Sequence, residues 1–384
     1  MTFCALSSAK GMDIKMKVLF MVNIPSPYRV DFFDELGKLC DLTVVYERKN
    51  ASDREWKSKA ARNFKEIYLK GINVRTDSAL CFSILPYLDK KKYDVIVLGG
   101  YSTPTGMMAL QYMKMKKIPF ILNCDGGMIK ADKRIVYRIK KHFISSADAW
   151  LSTGKECDKY LLHYGAQKEN IYWYPFTSIY EKQILARPLT IEEKKEYKNK
   201  LAMTEELIVL SIGRFIHGKG FDVLLRALKD INNEKLGVYI VGGEETEEYK
   251  KIIKQFNLKN IHFVPFQKPE IVELYFKAAD FFVFPTRGDV WGLVINEAMA
   301  RALPIITTDK CVSGLELIEN GKAGYVIPSD DVNILSNKIK QIINDDQSRE
   351  QMAVYNLEKI KEYTIEQMAK IHMNIFKKYT ERKH

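Results

Sequence analysis

Short β-branched and apolar runs, each followed by an amphipathic stretch, recur along this chain and limit its fold more than any other feature. Residues 18–22 read as a strand, 28–39 as a helix and 42–46 as a strand again. Residues 94–98, 120–123 and 149–152 are further apolar strands, separated by helical patterns at 105–115 and 133–143. Residues 172–200 interrupt the pattern: an aromatic-rich segment passes through Arg187 and Pro188 into a charged stretch at 192–200, read as a solvated helix. The alternation then restarts, with strands at 208–212, 237–241, 261–264, 281–284 and 304–307 and a polar helical region from Val332 to the end. Apolar strands alternating with helices imply parallel sheets covered on both faces. The expectation is an α/β protein of two doubly wound, Rossmann-like domains facing a central cleft, spanning 17–178 and 179–364. Residues 365–384 are expected to pack back on the first domain.

The length of 384 residues suits two such domains. No apolar run reaches the ~18–20 residues of a membrane span, and residues 1–16 lack a signal-peptide core. Met12 and Met16 are plausible alternative starts, so little structure is expected before Lys17. The six cysteines are scattered without a C-x-x-C pair, which argues against a disulfide framework or a structural zinc site. Charge is lopsided: residues 1–170 hold 29 Lys and Arg against 18 Asp and Glu, while 171–384 hold 31 against 30. A one-sided basic field suggests an anionic surface partner for the first half. Its aromatics are not arranged as a stacking platform, so no nucleic-acid partner is expected.

In open parallel sheets, ligands bind beyond the carboxyl ends of the strands. The strand at 208–212 runs into Gly213, Arg214, His217, Gly218, Lys219 and Gly220 before a helix. Glycines there let the backbone approach a ligand, free N–H groups at a helix start attract phosphate, and two cations add to that field. Gly220 stands where a P-loop needs Ser or Thr, so the pattern is a diphosphate cradle without a built-in magnesium ligand. The strand at 281–284 leads into Asp289, Val290, Trp291, Gly292, Leu293 and Glu297. Carboxylates at a strand end and within the next helix can both face a cleft, where they accept hydrogen bonds from vicinal hydroxyls.

G-R-x4-K-G at 213–220, followed by acid-x7-Glu-Ala-Met at 289–299, resembles the retaining glycosyltransferases of family 4, which have the GT-B fold. The likeness extends over nearly the whole chain: Gly242 and Gly243 resemble the family's second glycine loop, and 260–266, ending at Phe266, the segment beside the nucleotide base. The resemblance implies that Arg214 and Lys219 hold a donor diphosphate with Gly213 and Gly243 nearby. It implies that Glu297 binds ribose, and that Val290, Trp291, Gly292 and Leu293 offer backbone N–H groups. Asp289 stands where the family usually has glutamate and would meet the transferred sugar. Transfer would be retaining, by front-face attack, with the departing phosphate oxygen taking the acceptor proton. No Asp-x-Asp dyad follows a strand, so no essential metal and no cofactor are expected, the paired cations serving instead.

In the first half, Pro25 and Pro27 fix the loop that carries Tyr28 and Arg29. A second strand-end loop carries Tyr101. The strand at 120–123 leads into Asp125 and Gly126, where many family members have a histidine. Tyr28, Arg29, Tyr101, Asp125 and Gly126 are thus the acceptor-side candidates. Asp125 either meets a sugar hydroxyl, orients the acceptor or caps a turn. Lys114, Lys116 and Lys117, read as lying on one helix, precede a basic stretch, 130–143. There Lys130, Lys133, Arg134, Arg138, Lys140 and Lys141 alternate with Ile135, Val136, Ile139 and Phe143. Either this apolar stripe packs on the sheet, or the helix lies on an anionic inner membrane.

The expected function is transfer of a sugar from a nucleotide-diphosphate sugar, UDP-linked rather than GDP-linked, to a glycan or lipid-linked acceptor of a surface polysaccharide or lipopolysaccharide. The expected place is the cytoplasm or the inner face of its membrane. Two alternatives stand: a noncatalytic sugar-nucleotide-binding subunit, and an epimerase or hydrolase on the same fold.

Overall fold

A computed structural model describes residues 15–50, 63–231 and 233–382. Cys4, Met12 and the rest of 1–14 lie outside the described residues, and Lys15 and Met16 lead directly into the first strand. The chain forms β1 (Lys17–Val22), α1 (Pro27–Gly37), β2 (Asp41–Tyr46), β3 (Lys65–Tyr68) and a small hairpin of β4 (Ile72–Arg75) and β5 (Ser78–Leu80). It continues with β6 (Val95–Leu98), α2 (Pro104–Met115), β7 (Ile121–Cys124), α3 (Arg134–Ile144), β8 (Ala149–Ser152), α4 (Lys155–His163) and β9 (Ile171–Trp173). The first sheet has the order β3-β2-β1-β6-β7-β8-β9.

After α5 (Ile191–Lys200) come β10 (Leu207–Ile212), α6 (Phe221–Ala227), β11 (Leu236–Val241), α7 (Glu247–Phe256), β12 (Ile261–Val264) and α8 (Pro269–Ala278). Then follow β13 (Phe281–Phe284), α9 (Leu293–Met299), β14 (Ile305–Thr308), α10 (Val312–Leu317) and β15 (Gly324–Ile327). The helices α11 (Val332–Asn344), α12 (Asp346–Ile360) and α13 (Ile365–Glu381) end the chain. The second sheet has the order β12-β11-β10-β13-β14-β15, and its strand pairs are parallel.

In both sheets the strand order reverses once, between β1 and β6 in the first and between β10 and β13 in the second. Such switch points leave a crevice beyond the strand ends. The loops that open there are those singled out by the sequence: the one after β1, the 99–103 loop after β6, 213–220 after β10 and 285–292 after β13. Two compact units emerge. One holds Met1–Leu122, Ser146–Asp148 and His372–His384, over their described residues. The other holds Asn123–Ser145 and Ala149–Ile371.

The core explains which elements form. All six residues of β11 and five of β1 are buried. In the first unit Phe20 packs on Phe32 and Phe33, and the His372 ring lies 4.7 Å from that of Phe32. The second core gathers Phe221, Leu224, Ile240, Val283 and Ile306, and closes under Leu335 and Ile339 of α11.

Three expectations need correction. The closing helices are amphipathic rather than polar, burying Leu335 and Ile339 in α11 and Met352, Leu357 and Ile360 in α12. The charged helix α5 is not simply solvated: Lys198 is buried, with its Nζ 3.0 Å from Asp280 and donating to the Glu206 carbonyl, while Lys194 reaches the other Asp280 oxygen at 2.9 Å. Nor is 130–143 one helix. Lys130 and Asp132 precede α3 and Lys133 caps it, while Lys116 and Lys117 lie beyond α2, Lys117 with a positive φ of 52°.

Asp280 is therefore an anchor for α5 against the second sheet. Burial acts to raise its carboxyl, but the ammonium groups of Lys194 and Lys198 hold it below its ordinary value. Asp280→Ala leaves Lys198 buried without its counter-charge, and chemical denaturation of the full chain should show a loss of roughly 3–5 kcal/mol.

Candidate functional site

The loop after β10 is built by close backbone approach. Gly213 N–H donates to the Val241 carbonyl at 2.9 Å. Gly242 has φ +124°, and a Cβ there would lie 2.4 Å from the Gly213 oxygen, so only glycine fits. Gly243 faces the Phe215 ring. At the other end of the loop Gly220 has φ +68°, and its missing Cβ would meet the Pro285 carbonyl at 2.0 Å. The loops after β10 and β13 are thus in direct contact.

Arg287 locks them together. Its backbone N–H and the Thr286 hydroxyl both donate to the Gly218 carbonyl, at 2.8 and 2.9 Å. Its guanidinium donates to the His217 carbonyl at 2.7 Å, to both oxygens of Asp222 at 2.8 and 2.7 Å, and to Asp330 at 2.6 Å. Burial acts to raise the Asp222 carboxyl, and Arg287 overrides it, leaving Asp222 below its ordinary value. Sequence reasoning passed over Arg287 and Asp222, although Arg287 lies within the 285–299 segment; a lone charge in a loop reads as solvated until its partner is known.

Two sequence candidates meet inside this frame. Lys219 Nζ lies 2.5 Å from an Asp289 oxygen and 4.9 Å from the centre of the Phe284 ring. Asp289 is held through its backbone, its N–H donating to the Lys310 carbonyl at 2.9 Å. Arg214 is exposed on the same loop as Lys219. Beyond Asp289, Trp291 turns its indole into the core, donating to Asn296 Oδ1 at 2.9 Å, while Asn296 donates to the Phe176 carbonyl at 3.2 Å. The Trp291 side chain is therefore structural, and only its main chain is available to a ligand. Gly292 precedes α9 with φ +92°, and Leu293 opens that helix.

Glu297 lies in the second turn of α9 and accepts a hydrogen bond from the Ser178 hydroxyl at 3.1 Å. Burial raises its carboxyl, with Arg301 pulling the other way. Val290 and Phe266 are exposed, by 62% and 66%, as apolar groups on strand-end loops of the second sheet.

The segment after β7 joins this group. Asp125 Oδ1 accepts from the Tyr174 phenol at 2.8 Å and from Asn123 Nδ2 at 2.6 Å. Gly126 has φ +138°, and a Cβ there would lie 2.0 Å from the Val290 carbonyl. Gly126 therefore abuts the Val290 backbone, with Asp125 next to it in the chain. Tyr174 has no distinguishing signal in the sequence, lying among other aromatics in the segment that interrupts the alternation.

In the first unit, Pro27 opens α1, followed by half-buried Tyr28 and buried Arg29, whose guanidinium lies 6.0 Å from the Tyr28 ring centre. Half-buried Tyr101 lies between β6 and the Thr103 cap of α2. Glu47, which the sequence did not single out, is buried at the end of β2, within reach of Thr103.

Comparison with known proteins bears on the family and the fold. Residues 193–359 match the family described as Glycosyl transferases group 1. An uncharacterized glycosyltransferase of Haemophilus influenzae is 30% identical over 176 residues, covering 42% of this chain and 49% of that protein. The capsular polysaccharide biosynthesis glycosyltransferase CapM of Staphylococcus aureus is 27% identical over 160 residues, 41% of this chain and 42% of CapM. The chain spans about half the length of these curated relatives. Among solved structures, Anabaena HepE in complex with UDP and glucose superposes with a TM-score of 0.73 at 14% identity, covering 95% of this chain and 99% of that one. WaaG, a glycosyltransferase involved in lipopolysaccharide biosynthesis, gives 0.68 at 15% identity over 94% and 99%. The fold is GT-B, as the resemblance carried by the 213–220 and 289–299 motifs implied.

Replacing Arg287 with Met should destabilise the chain by on the order of 3 kcal/mol in thermal or chemical unfolding, because Asp222 stays buried without its cation. The depressed Asp222 contributes stability above the unfolded carboxylate value of about 4, and loses it as pH falls through the lower native value. The wild-type and Arg287→Met curves should therefore converge in acid. Gly126→Ala should also destabilise, by the ~1–3 kcal/mol of a strained backbone or more. Gly288→Ala, which points into open space, should leave the melting temperature unchanged.

Proposed function

We propose that this protein is a retaining, metal-independent glycosyltransferase. It would move a sugar from a nucleoside diphosphate sugar, UDP-linked in preference to GDP-linked, to a glycan or lipid-linked acceptor of a surface polysaccharide or lipopolysaccharide. The observation that carries the reading is the contact of Lys219 with Asp289. An ammonium seeking phosphate and a carboxylate seeking hydroxyls sit side by side, and a sugar joined to phosphate at its anomeric carbon offers those two groups as neighbours. The group 1 match over 193–359 and the capsular relative CapM support the class of reaction. The presence of UDP in the HepE structure supports the donor base.

In this reading Arg214 and Lys219 neutralise the diphosphate, with the main chain at Gly213, Gly243 and 290–293 closing around it. Glu297 takes the ribose and Phe266 lies beside the base. The anomeric C–O bond breaks toward phosphate, the acceptor hydroxyl attacks from the same face, and its proton passes to the departing phosphate oxygen. Positive charge held in place lowers the cost of that departure. Asp125, fixed by Tyr174 and Asn123 beside Val290, would orient the sugar or acceptor rather than act as a base. Tyr28, Arg29 and Tyr101 would meet the acceptor.

The same proposal places the protein on the cytoplasmic face of an anionic membrane. Most of the α3 stripe is uncovered: Ile135 is 68% and Ile139 45% exposed and Val136 is exposed as well, while Phe143 at its far end is half-buried. Arg134, Arg138 and Lys141 share that helix. Exposed aliphatic groups among cations match an anionic lipid interface. Among the described residues no helix is long and apolar enough to cross a membrane. Vesicles containing anionic phospholipid should pull down the wild-type protein, and the double change Ile135→Ser, Ile139→Ser should release most of it. Equal binding of the two proteins would remove α3 from the interface.

The donor site is tested by thermal shift and calorimetry with UDP, GDP and their sugar conjugates in EDTA. UDP should stabilise the protein. Lys219→Ala should weaken UDP roughly 10–100-fold, the worth of one charge-assisted hydrogen bond. Asp289→Ala should spare UDP and lose the extra affinity of the matching UDP-sugar. No shift with any nucleotide would sink the donor assignment. UDP-sugar binding without transfer to any acceptor would favour a noncatalytic subunit, and turnover without an acceptor an epimerase or hydrolase.

A further inference from the structure

After β9 the chain loses regular secondary structure, yet alternate residues of it are held in turn. Tyr174 continues the pairing of β9 with β8, its N–H donating to the Ser152 carbonyl at 2.9 Å, and its phenol donates to Asp125 Oδ1 at 2.8 Å. Phe176 is buried, its ring centre 6.1 Å from that of Tyr174 and 5.7 Å from that of Trp291. Its carbonyl accepts Asn296 Nδ2 at 3.2 Å. The Ser178 hydroxyl donates to Glu297 Oε1 at 3.1 Å. Between them Thr177 is buried, and its hydroxyl oxygen accepts the Ile179 N–H at 3.1 Å. The Ile179 carbonyl in turn accepts the Ile365 N–H at 2.8 Å. All of these residues belong to the second compact unit.

Consecutive residues of α9 thus meet alternate residues of this segment, Asn296 meeting Phe176 and Glu297 meeting Ser178. Asn296 is fully buried, and both ends of its amide are engaged, Nδ2 by the Phe176 carbonyl and Oδ1 by the Trp291 indole. A buried amide satisfied at both ends fixes the register of the segment against the helix. That register delivers the Ser178 hydroxyl to Glu297. Arg301, four residues further on, gives its guanidinium to Glu273 at 2.9 and 2.6 Å, so a hydroxyl rather than a salt bridge sets the direction of the Glu297 carboxyl. Among the described residues no donor reaches Glu297 Oε2, and Oε1 keeps a second lone pair. Both oxygens can therefore accept a further hydroxyl.

We propose that Ser178 is a positioning residue for ribose recognition: it holds the Glu297 carboxylate in the orientation that accepts a pair of vicinal hydroxyls, and the Phe176–Asn296 clamp keeps it there. A glutamate side chain has several rotatable bonds, and a carboxylate held before its ligand arrives loses less freedom on binding. The ligand this favours is a nucleotide carrying both ribose hydroxyls, over its deoxy counterpart. The inference rests on the donor-site reading above, in which Glu297 takes the ribose. Through Tyr174 the same stretch also holds Asp125, so two candidate carboxylates are tied to one short piece of chain.

Calorimetry of the full-length chain with UDP and with deoxyuridine diphosphate, which lacks one hydroxyl of the pair, tests this role. The wild type should prefer UDP by about tenfold or more, the worth of a hydrogen bond to a charged group, and Glu297→Ala should abolish the preference. Ser178→Ala should reduce it roughly 3–10-fold, through weaker UDP binding with the deoxynucleotide little changed. Ser178→Thr, which keeps the hydroxyl, should retain it. Thr177→Val removes a neighbouring hydrogen bond that does not involve Glu297. It should lower the melting temperature and leave the preference intact, which separates positioning from a loss of stability. A Ser178→Ala protein that discriminates as the wild type does, or a Thr177→Val protein that loses as much preference, would overturn the proposal. UDP binding without discrimination in the wild type would overturn it and leave the donor site standing, whereas no UDP binding at all would overturn both.

Discussion

The Arg287 guanidinium is satisfied by a helix, a loop and a turn at once: Asp222 in α6, the His217 carbonyl in the glycine-rich loop, and Asp330 ahead of α11. The position of the 213–220 loop depends on that cluster. Phe215 anchors the middle of that loop on Phe221, Tyr249 and Phe263, but its glycine ends have no side chains with which to hold a shape. Its geometry comes from contacts at its edges, where Gly220 fits beneath Pro285 and Gly242 against Gly213. A partly buried ion cluster suits this task, because bidentate geometry fixes orientation as well as distance.

The two switch points are fixed by opposite means. In the second sheet a cation is surrounded by acids and stays charged at any pH the protein meets. In the first, Glu47 is surrounded by hydroxyls, amides and a like charge. The first arrangement is held by charge, the second by hydrogen bonds that gather several elements around one carboxyl.

Much of this was legible in the sequence, and the part that was not has a common cause. Central strands such as β1, β6, β11 and β13 are buried runs of apolar residues, so their composition announces them. The edge strands β3, β9 and β15 went unread: β3 carries Lys65 and Glu66, β9 is three residues long, and β15 begins with Gly324. An edge strand has one neighbour and needs no apolar run. The candidate loops were legible because glycines, cations and acids follow strands at characteristic spacings. Their partners were not. Arg287 with Asp222, Asp125 with Tyr174, and Gly126 with Val290 are pairings that only the folded chain creates. The α3 stripe shows the same limit from the other side, since an amphipathic pattern fixes a helix but not what covers its apolar face.

The Lys219–Asp289 contact has a consequence for selectivity. With its partner in place, Lys219 presents little net charge to its surroundings, so the proposed donor site would not be an indiscriminate anion trap. Inorganic phosphate that captured Lys219 would strand a half-buried carboxylate next to a new negative charge. A ligand carrying hydroxyls beside its phosphate relieves both groups together. On the function proposed above, the internal ion pair would favour a phosphate that arrives attached to a sugar over one that does not, UDP itself included.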